Sequence, residues 1–198
     1  MTRLFDILIS FFGLVVLSPV LIIVALIIVI DDPGPVFYRQ LRVGRYGRDF
    51  RIFKFRSMRV NADKAGLITV GDRDPRVTRA GYYIRKYKID ELPQLLNVLI
   101  GDMSLVGPRP EVRRYVDLYT DEQRRVLSVR PGITDYASIE YVDENRLLAA
   151  SDDPDKTYID EIMPAKIALN MRYINHPTLG EYLRILFLTA KAIVRKRN

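Results

Sequence analysis

The sequence predicts an α+β protein seated on a membrane-embedded helical base, and three observations lead there. Residues 7–30 carry no charged side chain, a stretch long enough to enter or cross a hydrocarbon core about 30 Å thick. Two β-prone runs flanking a glycine-bounded turn follow it. Apolar residues then recur at helical spacing, most clearly after Asp90 and after Thr178. With 198 residues the chain makes one or at most two domains and has enough apolar content for a core. The expected division is a membrane segment over 1–32 and a functional unit over 33–198 that ends in an amphipathic helix.

The membrane segment comes first. A cleaved signal peptide is not expected, because the apolar stretch is too long and no small-x-small cleavage site follows it. Ser18-Pro19 lies near its middle. Proline removes one helical hydrogen bond and crowds the preceding turn, while a serine hydroxyl can satisfy the freed carbonyl. The arms on either side are about a dozen residues, roughly 16–18 Å of helix, so neither arm alone crosses a bilayer core. A kinked spanning helix and a hairpin confined to one face are both physically feasible, and hydropathy alone favours spanning.

Pro33-Gly34-Pro35 ends that segment. Val36–Gln40 and Phe50–Phe55, separated by Gly44-Arg45-Tyr46-Gly47, predict a small β-hairpin. A loop over Gly71–Pro75 precedes an expected helix at Ala80–Tyr87. A further helix is expected to open at Asp90 and run to about Ile100, with Leu92, Leu95, Leu96 and Leu99 on one face, Pro93 in the first turn and Gly101 as the stop. Thr120 and Gln123 form a capping pair for a short helix over Asp121–Ser128. Thr178 with Glu181 opens the last helix, where Leu179, Tyr182, Leu183, Leu186, Phe187, Ala190, Ile193 and Val194 form a stripe and Arg184, Lys191, Arg195 and Lys196 lie largely off it. That pattern suits an interfacial helix in the headgroup region, or a helix packed on the core.

The formal net charge is +7 and the pI near 9.6, which directs attention to anionic partners. Between Pro33 and Val60 lie Arg39, Arg42, Arg45, Arg48, Arg51, Lys54, Arg56 and Arg59 against the single acid Asp49. A basic run directly after a membrane segment favours a cytoplasmic, anionic-lipid-facing placement. There is no cysteine, hence no disulfide framework or thiolate zinc site.

Against that positive background the adjacent carboxylates Asp90 and Glu91 carry most information. They can serve as a helix cap and first-turn acid. They can equally serve phosphoryl chemistry, in which a carboxylate attacks phosphorus while cations and Mg²⁺ neutralise the diphosphate oxygens. A helix start would keep Asp90 ionised near neutral pH. Candidate phosphate-binding cations are Lys54, Arg56, Arg85, and Arg109 between Pro108 and Pro110, whose rings restrict the backbone around it.

The chain resembles the bacterial sugar transferases, small monotopic phosphoglycosyl transferases. The resemblance rests on Arg3 and Asp6, Leu17-Ser18-Pro19, Gly34-Pro35-Val36-Phe37, Gln40 with Arg42-Val43-Gly44, and Lys54-Phe55-Arg56-Ser57-Met58. It continues through Asp90-Glu91-Leu92-Pro93-Gln94, Asn97-Val98-Leu99, Gly101 to Pro110, and Arg130-Pro131-Gly132-Ile133-Thr134. It implies that Asp90 attacks the sugar-linked phosphate of a UDP-sugar, releases UMP and holds the phosphosugar covalently until polyprenyl phosphate displaces it. Glu91 would assist as base or by positioning Mg²⁺, with Asp90 close to the ion. Arg130, Pro131, Gly132 and Thr134 would lie in the nucleotide-sugar region. The resemblance also implies a re-entrant helix-break-helix hairpin bent at Ser18-Pro19 in one leaflet, reversing the preference from hydropathy. A helical catalytic domain with interfacial amphipathic helices would then sit on the cytoplasmic face of the bacterial inner membrane. After Thr134 the chain reads Asp135-Tyr136-Ala137-Ser138-Ile139-Glu140-Tyr141 and then Asp143-Glu144-Asn145, departing from the family pattern where the sugar is expected to be read.

The partners expected are a UDP-sugar, polyprenyl phosphate and one membrane leaflet, with a homodimer compatible with the sequence. The competing reading is a membrane-tethered module binding anionic lipid or nucleic acid through arginines and interleaved aromatics. It leaves Asp90-Glu91 without a task, and nucleic acid is not expected because carboxylates repel phosphate backbones.

Overall fold

The computed structural model describes residues 2–62 and 74–195. Helix α1 (Thr2–Asp31) stays helical through Pro19, so the chain is not interrupted at the expected break. The local reason is visible. Pro19 has no N–H for the Val15 carbonyl, and the Ser18 hydroxyl donates to that carbonyl instead at 2.8 Å. Among the described residues α1 is the one helix long and apolar enough to cross a membrane, with a mean hydropathy of 3.2. Its middle is uncovered, with Val16 73% exposed.

Both ends of α1 are tied to the rest of the protein. Arg3 donates to the Val98 and Leu99 carbonyls at 2.6 and 3.0 Å, at the end of helix α3 (Gln94–Ile100). Asp6, 2% exposed, accepts from the Ser104 hydroxyl, the Leu105 N–H and the Tyr182 hydroxyl at 3.0, 2.9 and 2.8 Å. At the other end Asp31 accepts the Ala80 N–H at 2.9 Å, and Asp32 pairs with Arg56 at 2.6 Å.

The hairpin forms as two short antiparallel ladders. Strands β1 (Phe37–Tyr38) and β4 (Lys54–Phe55) pair with Phe37 opposite Phe55, while β2 (Leu41–Val43) and β3 (Asp49–Arg51) pair with Arg42 opposite Phe50. Tyr46 and Gly47 at positive φ make the turn between them. Of the loop expected at Gly71–Pro75, residues 71–73 lie outside the described residues. Helix α2 (Arg79–Lys86) is capped by the Thr78 hydroxyl, which accepts the Gly81 N–H at 2.9 Å. A Cβ at Gly81 would fall 1.9 Å from the Ser57 carbonyl oxygen, so only glycine lets α2 lie against the chain leaving β4.

Strands β5 (Ser104–Val106) and β6 (Gly132–Thr134) pair in parallel. They pack into a core of Ile52, Val98, Met103, Leu105, Tyr182 and Ile185. A second core joins short helices α4 (Arg113–Val116), α6 (Glu144–Ala149) and α7 (Pro154–Thr157), the π-turn Tyr158–Ile162 and helix α8 (Met163–Asn175) through Val112, Tyr115, Leu148, Tyr158 and Ile167. Helix α5 (Tyr136–Glu140) is capped by Asp135. The Thr120–Gln123 pair forms reciprocally, at 2.9 and 3.2 Å, although the turn it opens is 3₁₀ over Gln123–Ser128.

Helix α9 (Leu179–Arg195) divides the predicted stripe. Tyr182 and Ile185 are fully buried against the core, whereas Leu183 and Phe187 stand 46% and 69% exposed. Only half of the capping box forms: the Glu181 N–H donates to the Thr178 hydroxyl at 3.2 Å, while the Glu181 carboxylate turns to Tyr136 and Arg184. Lys196 of the predicted basic face lies outside the described residues.

One buried amide joins these layers. Asn97, fully buried, accepts the Phe53 N–H at 2.8 Å and donates to the Arg51 carbonyl at 3.0 Å, fastening α3 to the chain between β3 and β4. Asn97→Ala should destabilise the protein by about 1–3 kcal/mol, because two backbone groups lose their partner. Denaturant unfolding would measure it, with the midpoint lowered.

Candidate active site

Lys88 at φ 57° ends the run from α2 and turns the chain into a single 3₁₀ turn, Ile89–Glu91, with α3 starting only at Gln94. Asp90 therefore does not cap an α-helix, contrary to the sequence expectation. No helix amides stabilise its charge. Asp90 is 9% exposed, and its Oδ1 is buried with no hydrogen-bond partner. Burial, reinforced by the neighbouring Glu91 charge, raises the Asp90 carboxyl above the usual carboxylate range, although Lys54 and Arg85 pull it down in part.

Glu91 has the opposite environment. Its Oε1 receives the Lys54 ammonium at 3.0 Å, and Arg109 binds it through both guanidinium nitrogens, Nη1 reaching Oε2 at 3.2 Å. Burial disfavours its charge, but Arg109 and Lys54 together hold Glu91 well below the usual range. The arrangement is reciprocal: Glu91 raises the Arg109 guanidinium, while burial lowers the Lys54 ammonium against the pull of Glu91. Arg109 is itself aimed by its backbone, because Asp135 accepts its N–H at 3.0 Å while also accepting the Ser138 N–H at 2.6 Å to cap α5.

Asp90, Lys54, Arg85 and Arg109 line one cavity of about 360 Å³. Glu91 lies behind its wall. Of the cations predicted from the sequence, Lys54 and Arg109 thus converge on the dyad. Arg85 joins them on the wall, and its guanidinium makes no hydrogen bond or ion pair to a described residue. Arg56 also lines the cavity, yet its guanidinium is held by Asp32 at the end of α1, so it anchors that helix.

The structure keeps Arg130, Pro131, Gly132 and Thr134 off this wall. Arg130 donates to the Gly101 carbonyl at 2.9 Å, Pro131 accepts the Ser104 N–H at 2.8 Å, and Thr134 pairs with the Thr189 hydroxyl at 2.7 Å. A Cβ at Gly132 would meet the Gly107 nitrogen at 2.1 Å. These residues build the parallel ladder that carries Gly107-Pro108-Arg109 toward the cavity.

The rest of the wall was not singled out from sequence as a site. Arg42 donates to Gln40 Oε1 at 2.6 Å, to the Pro110 carbonyl at 3.1 Å and to Glu111 Oε1 at 3.2 Å. Glu111 also receives the Tyr158 hydroxyl. Glu144, Leu148, Tyr158 and Lys166 complete that side. They come from separate short elements, so no local spacing marks them; the departure after Thr134 was the one sequence signal nearby.

No group of three or more acidic or histidine side chains among the described residues encloses a metal ion. Mg²⁺ however retains waters and is usually held by one or two carboxylates together with substrate phosphates. Asp90 lines the basic cavity and its buried Oδ1 has no hydrogen-bond partner, which fits that requirement. The arrangement can neutralise a diphosphate with Lys54, Arg85 and Arg109 while presenting one desolvated carboxylate to phosphorus.

The profile of the bacterial sugar transferase family matches residues 1–196. The chain is 41% identical over 194 residues to the UDP-N-acetylgalactosamine-undecaprenyl-phosphate N-acetylgalactosaminephosphotransferase of Aeromonas hydrophila, covering 96% of this chain and 42% of that protein. It is 35% identical over 195 residues to the UDP-glucose:undecaprenyl-phosphate glucose-1-phosphate transferase of Escherichia coli strain K12, covering 96% of this chain and 40% of that one. The exopolysaccharide production protein PSS of Rhizobium leguminosarum bv. phaseoli is matched at 38% over 195 residues, 94% of this chain and 92% of the relative. Two of these three relatives are thus more than twice as long as the stretch they share with it. The chain belongs to the bacterial sugar transferase family.

Proposed function

We propose that the protein transfers a sugar-1-phosphate from a UDP-sugar to polyprenyl phosphate, with Asp90 as nucleophile. The observation that carries this reading is a desolvated carboxylate, Asp90 with its Oδ1 unpartnered, among the residues of a cavity made basic by Lys54, Arg85 and Arg109. Asp90 attacks the sugar-bearing phosphorus; its O–P bond forms as the bond to UMP breaks, and UMP leaves with the electron pair. A polyprenyl phosphate oxygen then attacks the same phosphorus, breaking the Asp90 O–P bond and restoring the carboxylate. Lys54, Arg85 and Arg109 balance charge on the phosphoryl oxygens at both steps. Glu91 keeps Lys54 and Arg109 charged and aimed from behind the wall. Asp90 together with the substrate phosphates would hold Mg²⁺, which would supply further charge neutralisation.

Two features support a one-face, re-entrant α1, and the basic run from Arg39 to Arg59 that follows it supports the cytoplasmic side of the bacterial inner membrane. A straight span would put its ends on opposite faces, about 30 Å apart. Here Arg3 and Asp6 at one end and Asp31 and Asp32 at the other bind the same soluble unit. The uncovered apolar middle of α1 then lies in one leaflet, and Asp90 at the interface meets both a lipid phosphate and a soluble nucleotide. Since the chain lacks cysteine, Thr2→Cys and Pro33→Cys can be labelled separately in oriented vesicles. Both should react from the same face; labelling from opposite faces refutes the hairpin.

The transfer itself is tested by supplying the protein with Mg²⁺, undecaprenyl phosphate and a panel of UDP-sugars and following UMP. Release with one or a few sugars is expected. No UMP with any donor would reject the proposal.

A further inference from the structure

The phosphate-handling cluster has no feature that distinguishes one sugar from another, since Lys54, Arg85, Asp90 and Arg109 all address phosphate. Relatives of this chain are named for different sugars, N-acetylgalactosamine in one and glucose in another. What separates such donors must be read elsewhere in the cavity.

A second cluster on the same wall has the required chemistry. Glu144, at the start of α6, accepts from Lys166 on α8 at 2.8 Å, and the Lys166 ammonium lies 5.3 Å from the centre of the Tyr158 ring. Their side chains are only 27% and 14% exposed, and all three residues line the cavity with Leu148. An ion pair held this far from water is a poor source of stability, because desolvation offsets most of its attraction. A polar ligand that completes its hydrogen bonds would change that balance. Lys166 has three N–H donors and, among the described residues, one hydrogen-bond partner; Glu144 Oε1 accepts from none of them. Tyr158 opens a π-turn, an irregularity that recurs at functional sites, and its hydroxyl binds Glu111, two residues from Arg109. The two clusters therefore meet across Pro110.

We propose that Glu144 and Lys166, braced on Tyr158, select the sugar of the nucleotide donor. This rests on the transfer reading above. Paired donor and acceptor match the hydroxyls of an uncharged hexose or N-acetylhexosamine, while Tyr158 and Leu148 offer apolar surface to the C–H face of its ring. A site built around hydrogen bonds rejects a sugar that leaves those bonds unmade, which gives the pair discriminating power.

The test compares the unaltered protein with Glu144→Gln and Lys166→Met. Affinity is measured by titration calorimetry for UDP-glucose, UDP-galactose, their N-acetylhexosamine counterparts, UDP-glucuronate and UDP alone, alongside UMP release. In each variant affinity for the preferred donor should fall about 10–100-fold while that for UDP alone stays within about two-fold, so the ranking of sugars collapses. An equal loss for every ligand including UDP, or an unchanged ranking, overturns the proposal. So does a wild-type protein that binds UDP as tightly as any UDP-sugar. If the wild type binds donors selectively yet releases no UMP, the transfer reading fails alone, and the variants' sugar ranking still decides the inference.

Discussion

Asp90→Asn is expected to abolish UMP release, by roughly 10⁴–10⁶-fold, while raising the melting temperature at neutral pH. The first effect follows if Asp90 is the proposed nucleophile, acting with its surroundings as a unit. The second follows from burial. A carboxyl whose folded-state value is raised binds its proton more tightly when folded. Its neutral form is the one the fold accepts: that contribution is fully present below the unfolded value near 3.9 and is lost as pH rises through the raised folded value. Above that, an ionised Asp90 costs stability, and a neutral asparagine of the same shape does not. The difference in melting temperature should thus be positive at pH 7 and shrink toward zero in acid. Mg²⁺ should stabilise the wild type and leave Asp90→Asn unmoved. A variant less stable than the wild type at pH 7, or one retaining turnover, would contradict the assignment.

This trade of stability for reactivity was only partly readable from sequence. Asp90-Glu91, Lys54 and Arg109 were legible as a set because a basic background and adjacent carboxylates imply charged chemistry, and the structure brings all four together. Their electrostatics were not legible. The inference that Asp90 is kept ionised by a helix start fails because Lys88 adopts a left-handed conformation, which ends one helical run before the next begins. A single positive φ is not encoded by periodicity, and the apolar spacing of Leu92, Leu95, Leu96 and Leu99 suits a 3₁₀ turn followed by α3 as well as one longer helix. Arg56 illustrates a second limit: composition counts it as a free cation, whereas Asp32, 24 residues earlier, consumes it. Local patterns fared better. Helix α2 and the Thr120–Gln123 pair depend on neighbours within a few residues, where sequence spacing and spatial contact coincide, and the hairpin depends on one turn that joins runs adjacent in sequence. Glu144 and Lys166 lie 22 residues apart on different helices, and only tertiary packing makes them a pair.

Glu91→Gln is expected to cost activity through its neighbours. The amide keeps the shape but removes the charge that Arg109 and Lys54 share. Lys54, already lowered by burial, loses its principal stabilising charge, so a larger fraction should be neutral near pH 7 and unable to hold a phosphate oxygen. Two half-buried cations then repel each other across the gap. Breaking a fully buried pair costs about 3–5 kcal/mol, but Arg109 is 36% exposed and solvent relieves part of that. A loss of about 1–3 kcal/mol in unfolding free energy is therefore the expectation. The decisive measurement is a double-mutant cycle. If Glu91 acts by organising Arg109, the pair Glu91→Gln with Arg109→Gln should be less destabilised than the two single changes added together, with a coupling of about 0.5–3 kcal/mol. Turnover should show the same shortfall from additivity, because once Arg109 is gone Glu91 has one fewer cation to aim. Had Glu91 instead been a proton acceptor during transfer, its loss would multiply with that of Arg109, and kcat would follow an acid limb that Glu91→Gln removes. With both of its oxygens occupied by cations and its carboxyl held well below the usual range, Glu91 is poorly placed to take a proton. Non-additive losses, with turnover falling at the alkaline end as Lys54 loses its proton and no limb at the acid end removed, would identify it as the residue that positions the cations around Asp90.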